Sequence, residues 1–162
     1  RIGNTNKGFV MTRNLEEIID SDGWSLDDTV ILARALKAVG VDVMDCSSGG
    51  IAGAATVGHG QKRQPSFQVE YSERVRQDVE MATMAVGLIT HPKQAESILM
   101  QGSADLIAIG REALVDPMWT FHAAKALEFD VDFDLWPKQS GWWLASRQKT
   151  SEFYVAVNDN EM

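Results

Sequence analysis

A chain of 162 residues with 44% hydrophobic content is long enough for one modest soluble domain with a real core. Its formal net charge of −8 argues against a nucleic-acid partner and a basic membrane-surface role, because phosphate would be repelled. No apolar run approaches the ~20 residues of a membrane-spanning helix. No secretory leader pattern opens the chain. The single cysteine, Cys46, excludes an intrachain disulfide and favours a reducing compartment, hence the cytoplasm. The first residue is Arg1, so the chain is expected to be trimmed or a fragment.

Residues 1–24 show no clean period. "RIGNTNKG" reads as loop, and "NLEEIIDSDGW" as a short helical turn ended by Asp22-Gly23. The signals sharpen at "SLDDTVILARALKAVG", where Leu26, Val30, Ala33 and Leu36 fall at helical spacing. Ser25 and Asp28 resemble a capping box, and Gly40 suits the position just past the helix end. "VDVMDCSSGG" then reads as a buried strand running into a glycine-rich loop over 49–66. "FQVEYSERVRQDV" reads as a helix with Val69, Ser72, Val75 and Val79 inward, and "MATMAVGLIT" as a second apolar strand. "HPKQAESILMQG" is predicted to be a helix with Pro92 in its first turn and Gly102 past its end. "DLIAIG" is the third strand, and "REALVDPMWTFHAAKALEF" a helix broken near Pro117. The tail, 129–162, holds three tryptophans and an acidic end, and is expected to be irregular.

Helices alternating with short, continuously apolar strands imply crossover units and a parallel sheet buried on both faces. A doubly wound sheet and a (β/α)8 TIM barrel both fit. Three to four units are too few for a whole barrel of ~250 residues, so a partial barrel is the form in which that fold could occur.

In such folds function sits at the carboxyl ends of the strands. Three segments leave those ends: "CSSGG", "GLIT" and "GRE". Glycine permits close approach of a ligand, a helix start offers free N–H groups, and Arg111 offers a fork suited to phosphate. That combination describes a phosphate cradle. The plainer reading makes Gly110 a tight turn and Arg111 a surface ion pair. Cys46 reads as a small buried residue more than a nucleophile, since no histidine stands near it in a family signature. Ser47 and Ser48 either touch a ligand or only close their loop. His59, His91 and His122 lack metal-ligand spacing and read as solvent-facing, capping or packing residues. The tail tryptophans would form an aromatic lid or, more simply, pack a terminus.

Three stretches carry a resemblance: "SLDDTVILARALKAVGVDVMDCSSGG", "YSERVRQDVEMATMAVGLIT" and "ADLIAIGREALVDPMWTFHAAKAL". In order and content they resemble the C-terminal half of the old yellow enzyme family, in its YqjM-type ene-reductase subgroup, over about 24–128. By that resemblance residues 25–128 are the C-terminal half of a flavin-binding barrel, with 1–24 a poorly matched segment. The resemblance implies FMN as cofactor, NAD(P)H as reductant and an enone-like substrate whose activated C=C bond is reduced. It places Ser48 and Gly49 on the sixth-strand loop and Gly87 on the seventh. Gly110 and Arg111 fall on the eighth, where they hold the FMN phosphate. No catalytic residue and no metal ligand is assigned, because the family's substrate-anchoring His pair (or His and Asn) and its proton-donating Tyr belong to the N-terminal half. The fifth-strand arginine would lie upstream of Ser25; Arg1 and Arg13 are candidates, neither at the expected spacing. A C-terminal arginine that reaches a neighbouring subunit in relatives is replaced by Trp142 in "KQSGWW", and a homo-oligomer is expected as one alternative.

Two other functions stay open on these residues. One is a non-catalytic half-barrel that binds a phosphate ligand, and the other an inactive truncated fragment. The chain by itself is expected to lack ene-reductase turnover.

Overall fold

The computed structural model describes residues 24–48 and 64–150, and the backbone of 9–14. Its elements run β1 (Phe9–Asn14), α1 (Leu26–Ala38), β2 (Val43–Ser48), α2 (Val69–Val79) and β3 (Ala82–Ala85). α3 (Pro92–Met100), β4 (Leu106–Ile107), α4 (Glu112–Val115), α5 (Trp119–Ala126) and α6 (Lys138–Lys149) follow. The chain divides into two compact units, Arg1–Val115 and Asp116–Met162.

The first unit is a parallel α/β structure. Its four strands lie in the order β1-β2-β3-β4, each pair parallel. The chain therefore adds each new strand to the same growing edge, through a helix each time from α1 onward.

Local signals explain the helices. Ser25 accepts from the Asp28 N–H at 3.2 Å and Asp28 accepts from the Ser25 N–H at 2.9 Å, closing the expected capping box at the start of α1. Gly40 follows the α1 end with φ +94°, a conformation glycine adopts without a Cβ penalty. Lys37, in the last turn of α1, donates to the carbonyls of Val79 and Glu80 at 2.8 and 2.9 Å. It thus neutralises the open carboxyl end of α2. His91 caps α3, accepting from the Lys93 N–H at 3.2 Å, with Pro92 in the first turn.

Strand alternation places Met44 and Cys46 of β2 on one face, and the core gathers there. Val30 and Ala33 of α1 and Tyr71, Val75 and Val79 of α2 form one buried cluster with them and Met81. The stripe on α2 is as expected for Ser72, Val75 and Val79, while Val69 is half-buried. At the strands' amino ends, Asp105 accepts from Arg76 and from the Thr83 N–H, both at 3.0 Å, tying β4 to β3 and α2.

Three expectations need correction. The segment before α1 contains β1, which pairs residue for residue with β2 from Phe9↔Val43 to Asn14↔Ser48. A parallel strand draws its order from a distant neighbour, so no local turn signal announces it. The third strand is shorter than "DLIAIG": regular pairing covers Leu106–Ile107, with single bonds on either side from the Asp105 N–H to Thr83 O and the Ala108 N–H to Ala85 O. Among the described strands β4 is an edge, so its ladder has one partner.

The third correction is in the second unit. Part of the tail is the helix α6, not irregular chain. Its Gly141 is required by packing, since a Cβ there would lie 2.5 Å from the Phe133 carbonyl oxygen. The break near Pro117 is as expected: α4 ends at Val115, and Asp116 Oδ1 accepts from the Met118 N–H at 3.0 Å before α5 begins. No helix among the described residues is long and apolar enough to cross a membrane.

Candidate functional site

The carboxyl ends of β2, β3 and β4 open onto one cleft of about 360 Å³. Ser48 closes β2, Gly87 follows β3, and Gly110 and Arg111 follow β4; all four line the cleft. Gly49, the fifth expected residue, lies outside the described residues. So does His59.

The two glycines sit there for different reasons. Gly87 has φ +121°, and a Cβ on it would lie 3.2 Å from each of Phe67 Cδ1, Gln68 Cβ and Gln68 Oε1. The next residue, Leu88, is also left-handed at φ +51°. Two such residues in sequence make a tight loop that the surroundings must hold. The Ser66 N–H donates to Gly87 O at 2.9 Å, and Gln94 Nε2 donates to Leu88 O at 2.9 Å and to Ser66 Oγ at 2.8 Å. Gly110 is the opposite case. Its backbone is not left-handed, and a Cβ there would meet nothing within 4 Å. Neither backbone nor packing within the described chain demands glycine; what its missing side chain leaves is open space at the cleft.

Arg111 is exposed; its carbonyl accepts from the Leu114 N–H at 3.1 Å, but its side chain makes no hydrogen bond or ion pair with another described residue. Its guanidinium is therefore free to pair with an anion. The expected helix start beside it is weaker than the pattern suggests, because α4 is a single turn of four residues. A helix dipole grows with aligned peptides, so the positive charge at this end rests on Arg111. Glu112 also lines the cleft and is the one acidic side chain among its described lining residues.

Gln68 went unnoticed in the sequence. It is 5% exposed, and its Nε2 donates to Ser48 Oγ at 2.7 Å and to Ser48 O at 3.1 Å. One amide thus fixes the end of β2 while its own stem packs against Gly87. A signal existed: residues 68, 72, 75 and 79 form one helical stripe, and a glutamine on a buried stripe must have a partner.

Cys46 is 1% exposed, and burial, with the Asp45 carboxylate beside it, pushes its thiol up to about 12. A thiol held so far from the thiolate is a packing residue. Among the described residues no group of three His, Cys, Asp or Glu side chains could hold a metal ion. His91 is used as a helix cap, and His122 holds its Nδ1 2.6 Å from Asp116 Oδ2.

A family model described as the NADH:flavin oxidoreductase / NADH oxidase family matches residues 3–130. The chain belongs to this family. The match begins ahead of β1, so it takes in most of the segment that the quoted motifs left poorly matched. NADPH dehydrogenases of Bacillus subtilis and of a Geobacillus strain are each 42% identical to it, over 109 and 121 residues. Those alignments cover 67% and 75% of this chain but 31% and 34% of the relatives. A Bacillus cytotoxicus NADPH dehydrogenase is 40% identical over 110 residues. The chain thus spans about a third of the length of the curated relatives it matches.

Proposed function

We propose that this chain is the FMN-phosphate-binding part of an FMN-dependent NAD(P)H oxidoreductase of ene-reductase type. In this reading β1 to β4 are the fifth to eighth strands of a partial (β/α)8 barrel, and their carboxyl ends form its mouth. Ser48, Gly49, Gly87, Gly110 and Arg111 take the cofactor's phosphate end. The observation that carries the reading is the pairing of an Arg111 guanidinium that has no partner among the described residues with open space at Gly110, in a cleft of small-ligand size. A phosphate fits that pairing: it needs close backbone approach and a cation, and both are present.

Hydride transfer is the chemistry that FMN supplies when bound. The described residues bind and orient one end of it. Gln68 holds Ser48 in place, the Ser66–Gln94 pair holds the Gly87 loop, and Arg111 offers two parallel N–H groups to phosphate oxygens. The enone-like substrate, the choice between NADH and NADPH, and a homo-oligomeric, cytoplasmic enzyme belong to the whole protein and are part of the same proposal. The names of the relatives, NADPH dehydrogenases, favour NADPH. The chain alone is expected to show no enone-dependent NADPH oxidation above that of free flavin.

The test is an FMN fluorescence-quenching titration of the chain and of Arg111→Ala. Saturable quenching that weakens at least about tenfold in the variant supports the cradle. Quenching of equal strength in both sinks it.

A further inference from the structure

The second unit holds a cleft of about 380 Å³ between α5, the turn after it and α6, which the proposed function does not use. Phe133, Trp136 and Leu144 give it an apolar floor, and Lys125, Arg147 and His122 stand around it. We propose that this cleft is a binding site for a small organic anion with a flat apolar body, an aromatic carboxylate being the simplest case.

The floor is held rigidly. Phe133 is buried, with φ +64°, a left-handed conformation that costs an aromatic residue free energy. The surroundings impose it. Buried Asp130 accepts from the Asp134 N–H at 2.7 Å and from the Leu135 N–H at 3.3 Å, tightening the turn around Phe133. Gly141 brings α6 against the Phe133 carbonyl, closer than any residue with a Cβ would allow. Trp136 stacks near Phe121 with ring centroids 4.8 Å apart and meets Phe133 edge-on at 6.3 Å. Its indole N–H is buried with no acceptor among the described residues. A small rotation of this ring toward an acceptor therefore breaks no hydrogen bond.

The ionisable side chains that line this cleft among the described residues are Lys125, Arg147 and His122, with no carboxylate among them. The Arg147 guanidinium has no partner among the described residues. The Lys125 ammonium lies 3.9 Å above the Phe133 ring and donates to Gln148 Oε1 at 3.3 Å, two neutral contacts that leave its charge unpaired. Asp116 engages His122 through Nδ1, which leaves the imidazole Nε2 without a bond to a described residue. Two free cations over a fixed aromatic floor, in a chain of net charge −8, select an anion with a flat face. The body lies against Trp136 and Leu144, beside the Phe133 ring that Lys125 covers, and the acid pairs with Arg147 and Lys125.

The experiment uses the full chain, isothermal titration with naphthoate, and neutral naphthamide as the comparator of equal shape. Saturable naphthoate binding is expected, at least about tenfold tighter than the amide, with a similar loss in Arg147→Ala or Lys125→Met and no change in Arg111→Ala. Both cleft residues are exposed, so near-UV circular dichroism should match that of the parent chain. No saturable binding, an amide that binds as well as the acid, or indifference to both cleft substitutions overturns the proposal. So does a loss caused by Arg111→Ala, which would move the ligand to the other cleft.

Discussion

Gly87 and Gly110 line one cleft, yet they should respond in opposite ways to the same substitution. Gly87→Ala places a methyl group on a backbone at φ +121° and within 3.2 Å of three atoms of Phe67 and Gln68. Left-handed strain costs about 1–3 kcal/mol and overpacking of a fixed site about the same. Together these come to about 2–6 kcal/mol, and at roughly 2–4 °C per kcal/mol for a chain this size the melting temperature should fall by roughly 4–24 °C. Gly110→Ala meets nothing within 4 Å and needs no left-handed backbone, so its effect on stability should stay within about 0.5 kcal/mol. The same methyl does fill the space offered to a phosphate, so FMN binding should weaken while the melting temperature holds. Differential scanning fluorimetry and urea unfolding of the parent and both variants, at one protein concentration, give the comparison. A Gly87→Ala variant as stable as the parent, or a Gly110→Ala variant that loses as much as Gly87→Ala, refutes this account of the two loops.

Gln68→Leu removes both hydrogen bonds to Ser48 from a buried site and should cost about 1–3 kcal/mol in urea unfolding. Cys46 should resist a thiol reagent at pH 8 in the folded chain and react fully in urea, because burial keeps its thiol near 12. Asp105 supplies a pH test. Burial would raise its carboxyl, but bonds from Arg76 and the Thr83 N–H, with the Arg76 charge, outweigh this and hold it below its ordinary value. A carboxyl lowered by folding stabilises the fold above its unfolded value, and loses that contribution as pH falls through the folded value. The parent's advantage over Asp105→Asn should therefore be about 1 kcal/mol at pH 7, kept small by solvent at this partly exposed pair. It should shrink as pH is lowered from about 5 toward 3, as read by urea unfolding. An advantage that grows on acidification would contradict the assignment.

Much of the first unit was legible because its signals are local. The capping box at Ser25 and Asp28, the proline start of α3 and the glycines past α1 and α3 each act within one helical turn. The apolar runs around Met44 and Met84 carry β2 (Val43–Ser48) and β3 (Ala82–Ala85), and such runs need no outside partner to be recognised. β1 escaped because its register is set by β2, some thirty residues away. α6 escaped for another reason. It shows Trp142 and Trp143 to solvent and buries only Gly141, so it has no apolar stripe, and its glycine reads as a breaker until its contact with Phe133 is known. In the cleft, glycine and arginine could be read from their types. The difference between a glycine required by its backbone and one that leaves room could not, because it lies in φ and in the atoms around the absent Cβ.

The central claim is that the cleft at the strands' carboxyl ends recognises phosphate through Arg111 and Gly110. Competing riboflavin, which lacks the phosphate, against FMN tests it most directly. The account predicts that the chain binds FMN at least about tenfold more tightly than riboflavin, and that Arg111→Ala removes the difference. Equal affinity for the two flavins, or a preference for FMN that survives Arg111→Ala, would contradict it.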